Sequence, residues 1–359
     1  MTSRSDTHSL LEHTPDELRE VFLREGLEPF RANQVLRWVY QRGFREFGGM
    51  SDLGLELRQR LARDWHVRAL MLERLLESSD GTRKLVLSTR EGALIESVLI
   101  PERDRQTLCV SSQVGCSLDC SFCATGQLGL GRNLRAEEIV DQVLYAAELL
   151  APSGETLTHL VFMGMGEPLL NLRNVIQSIR ILMDPAAAAF LPRRITVSTA
   201  GVVPRIEELG RAVPVRLAVS LHATTDAVRD ELIPLNRRFP IASLLEACRR
   251  YPASRRDPIS FEYTLIRGVN DSVEDARRLI RLLHGLRAKL NLIPMNEHPG
   301  TAYRRPSAAA VEEFAKVLAA TRIRLTVRRS RGDDILAACG QLGSLARPGA
   351  ALSSAASVR

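Results

Sequence analysis

Residues 115–126 read GCSLDCSFCATG, and they directly follow a β-prone run, TLCVSSQV, at residues 107–114. From there to about residue 329, further β-prone runs alternate with stretches whose apolar residues have helical spacing. Alternating strands and helices are typical of βα units arranged around a parallel sheet. The pattern therefore predicts an α/β fold, a partial (β/α)6 barrel, with the three cysteines on the loop that follows its first strand.

Seven β-prone runs would supply six βα units and one extra strand. The predicted strands are TLCVSSQV (107–114), THLVFMG (158–164), RITVST (194–199), VRLAVSLH (215–222), ISFEYTLI (259–266), LNLIPMN (290–296) and IRLTVRR (323–329). Helical runs lie between them, for example AEEIVDQVLYAAELL (136–150) and IASLLEACRR (241–250). This order is the one that a parallel sheet with covering helices requires.

The region before the barrel has a different pattern. Helical stretches such as PDELREVFLREGL (15–27) come first, and β-prone residues follow around two turn signals, Asp80-Gly81 and Glu91-Gly92. We interpret this region as a small helical domain that a strand hairpin joins to the barrel.

Four segments are predicted from these changes of pattern. They are an N-terminal accessory domain with its hairpin linker (1–90), the barrel (102–335), a short C-terminal segment that contains Cys339 (336–343) and a tail (344–359). The small and polar residues of the tail predict disorder.

Composition and charge restrict the class of protein. The chain has 359 residues, of which 45% are hydrophobic and 25% charged, as in ordinary globular proteins. It has no apolar run long enough for a membrane span and no apolar segment near its start that would resemble a secretory signal, so a cytoplasmic location is expected. A formal charge of +7, carried mostly by arginine, fits nucleic-acid binding, although genome composition explains arginine usage equally well.

Cys116, Cys120 and Cys123 form a C-x-x-x-C-x-x-C arrangement within eight residues. In a reducing compartment such a group favours metal binding or catalysis over disulfides. Three thiolates without an obvious fourth partner fit an iron–sulfur cluster that keeps one iron open for a ligand. Zinc is the competing interpretation, but structural zinc sites usually have four protein ligands in paired motifs.

Polar residues follow several predicted strands at corresponding ends. THLVFMGMGEPLL (158–170) runs into Gly164, Gly166 and Glu167, where glycines let a ligand approach the backbone and a carboxylate can receive an ammonium group. Later strands end in Ser198-Thr199, Ser220-Leu221-His222 and Asn296. Taken singly, each is more often a strand terminus or helix cap. Together, at the end of a barrel where active sites are built, they predict a ligand site for a ribose, a carboxylate or an adenine.

Three further cysteines are isolated in the sequence. Cys248, on a predicted helix, fits a small buried apolar residue. Cys109 lies seven residues before Cys116, and Cys339 lies in RRSRGDDILAACGQL (328–342). Spacing alone does not distinguish a functional role from a structural one for these two.

With these residues in view, the chain closely resembles the RlmN family of radical S-adenosylmethionine methyltransferases from about residue 20 to 343. The motifs that carry the resemblance are FRANQVLRWVYQRG (30–43), ALIESVLIPE (93–102), TLCVSSQVGC (107–116), GRNLRAEEIVDQV (131–143), FMGMGEPLLN (162–171), STAGVVPRI (198–206), SLHATTDAVRDELIPLN (220–236), IRGVNDS (266–272), LNLIPMN (290–296) and RGDDILAACGQL (331–342). Their common order along the chain is far more specific than any one of them.

The resemblance implies roles for thirteen residues. Cys116, Cys120 and Cys123 would bind a 4Fe-4S cluster; Gly166, Glu167, Ser198, Ser220, Leu221, His222 and Asn296 would contact S-adenosylmethionine; Cys339 would become S-methylated, Cys109 would resolve the covalent intermediate, and Glu96 would be a proton acceptor. The fold would be the partial barrel of radical S-adenosylmethionine enzymes.

The resemblance also implies an activity. Members of the family methylate carbon 2 of adenine in 23S rRNA, at the peptidyl-transferase centre, and in tRNA, at the adenine 3′ of the anticodon. Two molecules of S-adenosylmethionine would be used per turnover, a flavodoxin or ferredoxin would supply electrons, and the protein would be a monomer. Carbon 2 is electron-poor and lacks a nucleophilic handle, so a radical route is chemically reasonable.

RNA contacts are expected from the N-terminal domain and from three arginine pairs, Arg237-Arg238, Arg304-Arg305 and Arg328-Arg329. A solvated surface would also explain each pair. Phe122, between two cluster ligands, could pack near the adenine of the cofactor or simply in the core.

Two alternative functions stay open at this point. A Cfr-type enzyme would methylate carbon 8 of adenine, but Pro168 after Glu167 and the stretch RGDDILAACGQL favour the carbon-2 enzymes, whereas Met295 stands where many relatives have Trp. A non-enzymatic iron–sulfur RNA-binding protein would need the cluster without Cys109 and Cys339 together.

Overall fold

The computed structural model describes residues 7–253, 256–321 and 323–343. The tail predicted at 344–359 lies outside the described residues. Among the helices of the described part, none has both the length and the apolar character needed to cross a bilayer.

The N-terminal region folds as a helical unit. Its elements are β1 (His8–Ser9), α1 (Pro15–Arg24), α2 (Phe30–Leu36), a π-helical turn (Arg37–Gln41), α3 (Leu55–Asp64) and β2 (Trp65–His66), which pairs in parallel with β1. α1 starts where the sequence has a capping box: Thr14 and Glu17 each accept a hydrogen bond from the other's backbone N–H. Leu18 and Phe22 then lie on its buried face.

Three antiparallel strands connect this unit to the barrel: β3 (Leu70–Glu77), β4 (Arg83–Thr89) and β5 (Leu94–Glu102). The two turns contain Gly81 and Gly92, whose φ angles of 82° and 81° suit glycine. Beyond the hairpin expected from the sequence, β5 also pairs with β6 (Arg105–Cys109), so these strands extend the main sheet.

The predicted strand 107–114 is divided in the structure. Its first part belongs to β6, and its last residues start a separate antiparallel hairpin of β7 (Gln113–Gly115) and β8 (Leu130–Asn133). The cysteine-rich loop lies between the two strands of this hairpin. The chain leaves the sheet at Ser112, whose N–H bonds to the carbonyl of Met165 in the loop after the neighbouring strand.

The remaining strands confirm the predicted partial (β/α)6 barrel. They are β9 (His159–Phe162), β10 (Ile195–Thr199), β11 (Arg216–Ser220), β12 (Ile259–Leu265), β13 (Ala288–Pro294) and β14 (Arg324–Val327). From β6 through β9 to β14, each strand pairs in parallel with the next, which gives seven parallel strands among the described residues. The helices between them are α4 (Ala136–Leu150), α5 (Leu172–Met183), α6 (Val203–Ala212), α7 (Asp226–Leu232), α8 (Ile241–Arg250), α9 (Val273–Leu283) and α10 (Ala308–Ala319).

Alternation along β12 separates the inside of the barrel from its helical layer. Tyr263 stacks on Phe314 of α10, with 5.6 Å between ring centroids, whereas Glu262 and Thr264 line an interior cavity. Met163, which follows β9, and Arg328, which follows β14 at the far end of the parallel series, line the same cavity. The sheet therefore curves around it.

A buried ion pair joins the N-terminal region to the barrel. Arg45 donates to Asp141 on α4, and both side chains are almost completely buried. Asp141 also accepts hydrogen bonds from the backbone N–H groups of Ala69 and Leu70, at 2.7 and 2.8 Å. One carboxylate thus fixes the N-terminal region and the start of β3 on α4.

Replacing Asp141→Ala is expected to lower the free energy of unfolding by about 3–5 kcal/mol, because it leaves a buried guanidinium and two backbone donors without this acceptor. Urea unfolding followed by circular dichroism measures the change. Glu207→Ala, which breaks an exposed pair with Arg211, is the matched control and should cost under about 1 kcal/mol. Equal losses in the two variants would contradict this role for Asp141.

Candidate active site

A cavity of about 170 Å³ lies at the carboxyl ends of the parallel strands, beneath the loop after β7. Ten of the residues singled out in the sequence line it: Cys116, Cys120, Cys123, Gly166, Glu167, Ser198, Ser220, His222, Asn296 and Cys339. Phe122 lines it as well. The parallel register brings together residues that are up to 223 positions apart in the chain, from Cys116 to Cys339.

The cysteine-rich loop carries three thiols into the cavity. Burial raises the pKa of Cys116 to about 12 and that of Cys120 well above its usual range, and the neighbouring thiols reinforce both shifts. Asp119 takes a positive φ of 49° in this loop, and the Cys123 N–H bonds to the Cys120 carbonyl at 3.0 Å. Clustered thiols that are hard to ionise alone need a cationic partner to become thiolates.

These thiols fit a cluster better than a single ion. Within the described residues, no three His, Cys, Asp or Glu side chains converge closely enough to bind one metal ion. In an iron–sulfur cluster each thiolate binds a different iron, so the ligands are spread apart.

Glu167 is a buried carboxylate at the rim of the cavity. Its side chain accepts hydrogen bonds from the N–H groups of Leu169 and Ala200, at 3.0 and 2.7 Å, and burial raises its pKa to about 7. Gly166, at φ 95°, packs against Gln113, where an added Cβ would come within 2.5 Å of the Gln113 Cβ. Position 166 therefore requires glycine. Among the described residues, the adjacent Glu167 carboxylate has no paired cation.

His222 is held as a neutral donor. Its Nδ1 accepts a hydrogen bond from the Thr264 N–H at 2.9 Å, and burial lowers its pKa to about 3. The remaining proton is therefore on Nε2. The ring meets Phe122 edge to face, with 5.0 Å between centroids, so it also packs against the cysteine-rich loop.

The segment around Cys339 closes the cavity. Asn296 donates to the Cys339 carbonyl at 3.1 Å, Ala124 donates to the Gly340 carbonyl at 2.8 Å, and Thr125 donates to the Leu342 carbonyl at 2.7 Å. The Cys339 side chain is accessible from the cavity, but the surrounding protein raises the pKa of its thiol; the charge of Arg328 opposes that shift.

Three predicted residues lie outside the cavity wall. Leu221 is fully buried, although its backbone follows Ser220 at the rim. Cys109 is buried, and burial raises the pKa of its thiol; Cys339 adds to that rise, and the charge of Arg328 opposes it. Glu96 pairs with Lys84 at 3.2 Å, with both side chains fully buried, and Lys84 also donates to the Leu336 carbonyl.

Arg229 is a central residue that the sequence did not single out. It is fully buried on α7 and donates to the carbonyls of Leu221, Ala200 and Ser220, at 3.0, 2.6 and 3.0 Å, and to the Asn236 side chain at 2.9 Å. One guanidinium therefore connects the ends of β10 and β11. Its presence within SLHATTDAVRDELIPLN, a motif already quoted, was the available signal.

Glu262 was also missed. It lines the cavity and accepts a hydrogen bond from Asn291 on β13 at 2.7 Å, and burial raises its pKa. An acidic residue inside the apolar run ISFEYTLI was the signal. Arg328 was expected to contact RNA; it is exposed, like Arg237, Arg238, Arg304 and Arg329, but it also lines the cavity.

Comparisons with known proteins indicate the family of the chain. The radical SAM superfamily model matches residues 110–280, and the model of the ribosomal RNA large subunit methyltransferase N-terminal domain matches residues 8–67. A protein of Geobacter sulfurreducens named dual-specificity RNA methyltransferase RlmN is 50% identical over 91% of this chain and 89% of its own length. One of the same name from Anaeromyxobacter dehalogenans is 49% identical over 96% of this chain and 94% of its own.

A solved structure described as a radical SAM methyltransferase, from Sphaerobacter thermophilus, is also similar. It superposes with a TM-score of 0.91 at 46% sequence identity, over 94% of this chain and 99% of that one.

The raised pKa of Glu167 has a consequence for stability. Because the folded carboxyl titrates near 7 instead of its ordinary 4.5, the folded state holds this proton more tightly, and the free energy of unfolding should fall as pH rises from 4.5 to 7. In cluster-free protein Glu167→Gln should remove about 3 kcal/mol of that fall. Urea unfolding across this pH range measures it, with exposed Glu208→Gln as control. Parallel curves for wild type and Glu167→Gln would refute the assignment.

Arg229→Met should destabilise the protein by about 3–5 kcal/mol, because it removes a buried donor from three strand-end carbonyls. Hydrogen exchange should rise most in peptides covering residues 198–202 and 219–223. Arg229→Lys keeps the charge but not the fork and should be intermediate. Exposed Arg211→Met is the control. Unchanged exchange at both strand ends would exclude this function of Arg229.

Proposed function

The chain belongs to the RlmN family of radical S-adenosylmethionine RNA methyltransferases, and from that membership we propose that it methylates carbon 2 of adenine in 23S rRNA and in tRNA. The expected positions are the peptidyl-transferase centre and the adenine 3′ of the anticodon. The observation that carries the proposal is that Cys339 lines the same cavity as the three thiols of the cysteine-rich loop. We further propose that the protein acts in the cytoplasm as a monomer and receives electrons from a flavodoxin or ferredoxin.

The family uses a 4Fe-4S cluster and S-adenosylmethionine, and Cys116, Cys120 and Cys123 are the residues that would hold the cluster. When bound, these groups supply a 5′-deoxyadenosyl radical and a methyl group, with two molecules of S-adenosylmethionine per turnover. The thiols of Cys116 and Cys120 fit such a partner, since a cationic centre would offset the desolvation that raises their pKa.

The rim of the cavity would bind S-adenosylmethionine. Glu167 is positioned to receive the ammonium group, which would stabilise the charged form of a carboxylate that burial disfavours. His222 would donate from Nε2, because Nδ1 is occupied by Thr264. Gly166 leaves room for close approach, and Ser198, Ser220, Leu221 and Asn296 would complete the contacts.

Cys339 would accept the methyl group as a thiolate. Burial disfavours that charge, and the guanidinium of Arg328 favours it. Hydrogen bonds from Asn296 and Ala124 to the backbone of Cys339 and Gly340 hold the acceptor in place. Because the segment is already held in place, less conformational entropy is lost when the Cys339 sulfur reacts than would be lost by a mobile cysteine.

Cys109 would resolve the covalent link between Cys339 and RNA. Its thiol lies close enough to interact electrostatically with Cys339 and Arg328, so the same cation can favour its thiolate. Attack on the Cys339 sulfur would release the methylated base and leave a Cys109–Cys339 disulfide, which an external reductant must restore to thiols.

Glu96 as a proton acceptor stays a prediction. Lys84 already balances its charge, and the same lysine holds the Leu336 carbonyl, three residues before Cys339. This geometry supports a second role for the pair, which is to position the Cys339 segment on β4 and β5.

The test is mass spectrometry of adenosines from rRNA and tRNA, treated with anaerobically reconstituted protein, reductant and methyl-labelled S-adenosylmethionine. Wild type should form 2-methyladenosine, and Cys339→Ala should form none because the methyl carrier is absent. Cys109→Ala should accumulate protein covalently linked to RNA, since the link cannot be resolved. Cys248→Ala, which changes a buried cysteine on α8 outside the cavity, is the control and should stay active.

Detection of 8-methyladenosine would favour the Cfr-type alternative. A protein with an intact cluster that binds RNA but methylates neither substrate would contradict the proposal and favour a non-enzymatic RNA-binding protein.

A further inference from the structure

A second cavity, of about 750 Å³, adjoins the first between α10 and the ends of β13 and β14. Its walls combine apolar side chains, among them Pro294, Val311 and Val327, with the side chains of Arg305, Arg328 and Arg329. Arg328 lines both cavities. A ligand in the second cavity would therefore lie directly beside the one that contains Cys339.

Within the part of the chain that the structure describes, the three arginines form no ion pair with a carboxylate, in contrast to their neighbours. Arg304 pairs with Glu297, and Arg331 pairs with Asp80. Among the residues that the structure describes, no carboxylate oxygen lies within 4.0 Å of the guanidinium nitrogens of Arg305, Arg328 or Arg329. Glu312 and Asp333 also line the cavity, and Asp333 already accepts a hydrogen bond from Gln341 at 2.8 Å.

Hydrogen bonds connect the second cavity to the first. Arg305 donates to the Ser330 hydroxyl at 2.9 Å, and Ser330 donates to the Asn296 side chain at 2.5 Å. Asn296 in turn donates to the Cys339 carbonyl at 3.1 Å. Arg305 is thus half-buried and oriented by a chain of contacts that ends at the predicted methyl acceptor.

We propose that the second cavity is a subsite for the nucleotide next to the target adenine, with Arg305 and Arg329 binding its phosphate. The inference rests on the proposed function, because it requires an RNA substrate. A target base in the first cavity has left its stack, so its neighbour is also displaced and needs a binding surface. Guanidinium groups match the geometry of a phosphodiester, and the apolar wall suits a ribose or base edge.

The experiment measures RNA binding separately from methylation. An RNA hairpin with the anticodon-loop sequence would carry a neutral methylphosphonate linkage either 5′ or 3′ of the target adenine. Fluorescence anisotropy with full-length, cluster-loaded protein would give the affinity of wild type, Arg305→Met, Arg305→Lys, Arg329→Met and, as control, Arg211→Met on the exposed face of α6.

We expect one neutral linkage, 5′ or 3′, to weaken binding to wild type about tenfold, as loss of a charge-assisted contact should. Arg305→Met and Arg329→Met should bind the unmodified hairpin about as weakly as wild type binds the hairpin with that linkage. The linkage should lower the affinity of these variants little further. Their plots of log affinity against log salt concentration should have a slope smaller in magnitude by about 1. Arg305→Lys should retain part of the affinity, and Arg211→Met should resemble wild type.

The proposal is overturned if neither neutral linkage lowers the affinity of wild type for the hairpin. It is also overturned if each linkage, 5′ or 3′, lowers the affinity of Arg305→Met by the same factor as that of wild type. Because the neutral linkage changes only the RNA, a poorly folded variant cannot mimic the first result. Failure of the subsite with normal formation of 2-methyladenosine would leave the proposed function intact. Absence of 2-methyladenosine from wild type would instead refute the function itself.

Discussion

Parallel pairing from β6 through β9 to β14 brings the carboxyl end of every strand to one rim, and the candidate site depends on that register. The ends of β9 to β14 and the loops that follow them contribute one or two polar side chains each to a shared cavity. The backbone carbonyls at this rim need hydrogen-bond donors that do not occupy the cavity. Arg229 on α7 is such a donor, because its guanidinium donates hydrogen bonds to carbonyls at the ends of both β10 and β11.

The charges of the cavity are unevenly balanced. Three half-buried thiols and the buried carboxyl groups of Glu167 and Glu262 surround it, and burial disfavours the ionised form of both carboxyl groups. Arg328 is the lining residue with a permanent positive charge among the described residues. A site of this kind has an intrinsic preference for cationic ligands, which is what a metal cluster and a sulfonium with an ammonium group provide.

The sequence predicted the parts of the site that local patterns encode. Glu167, Ser220 and His222 could be found because each follows an apolar run at a strand end, and the three cysteines because their spacing is compact. Arg229 and Glu262 could not be found in this way, since their function depends on contacts across strands that periodicity does not specify. Arg328 was assigned to RNA because nothing in the sequence indicates that one member of an arginine pair lines a cavity. The sequence likewise gives no sign that Glu96 pairs with Lys84, twelve residues earlier.

The segment that carries Cys339 is the last described part of the chain, and it is held by residues that come much earlier, namely Lys84, Ala124 and Thr125. During synthesis the helical unit, the sheet and the cysteine-rich loop can all fold before that segment leaves the ribosome. A growing chain therefore lacks Cys339 while the cysteine-rich loop and the strands of the barrel are being made. The order of these segments along the chain thus separates the folding of the cysteine-rich loop from the arrival of Cys339, which closes the cavity.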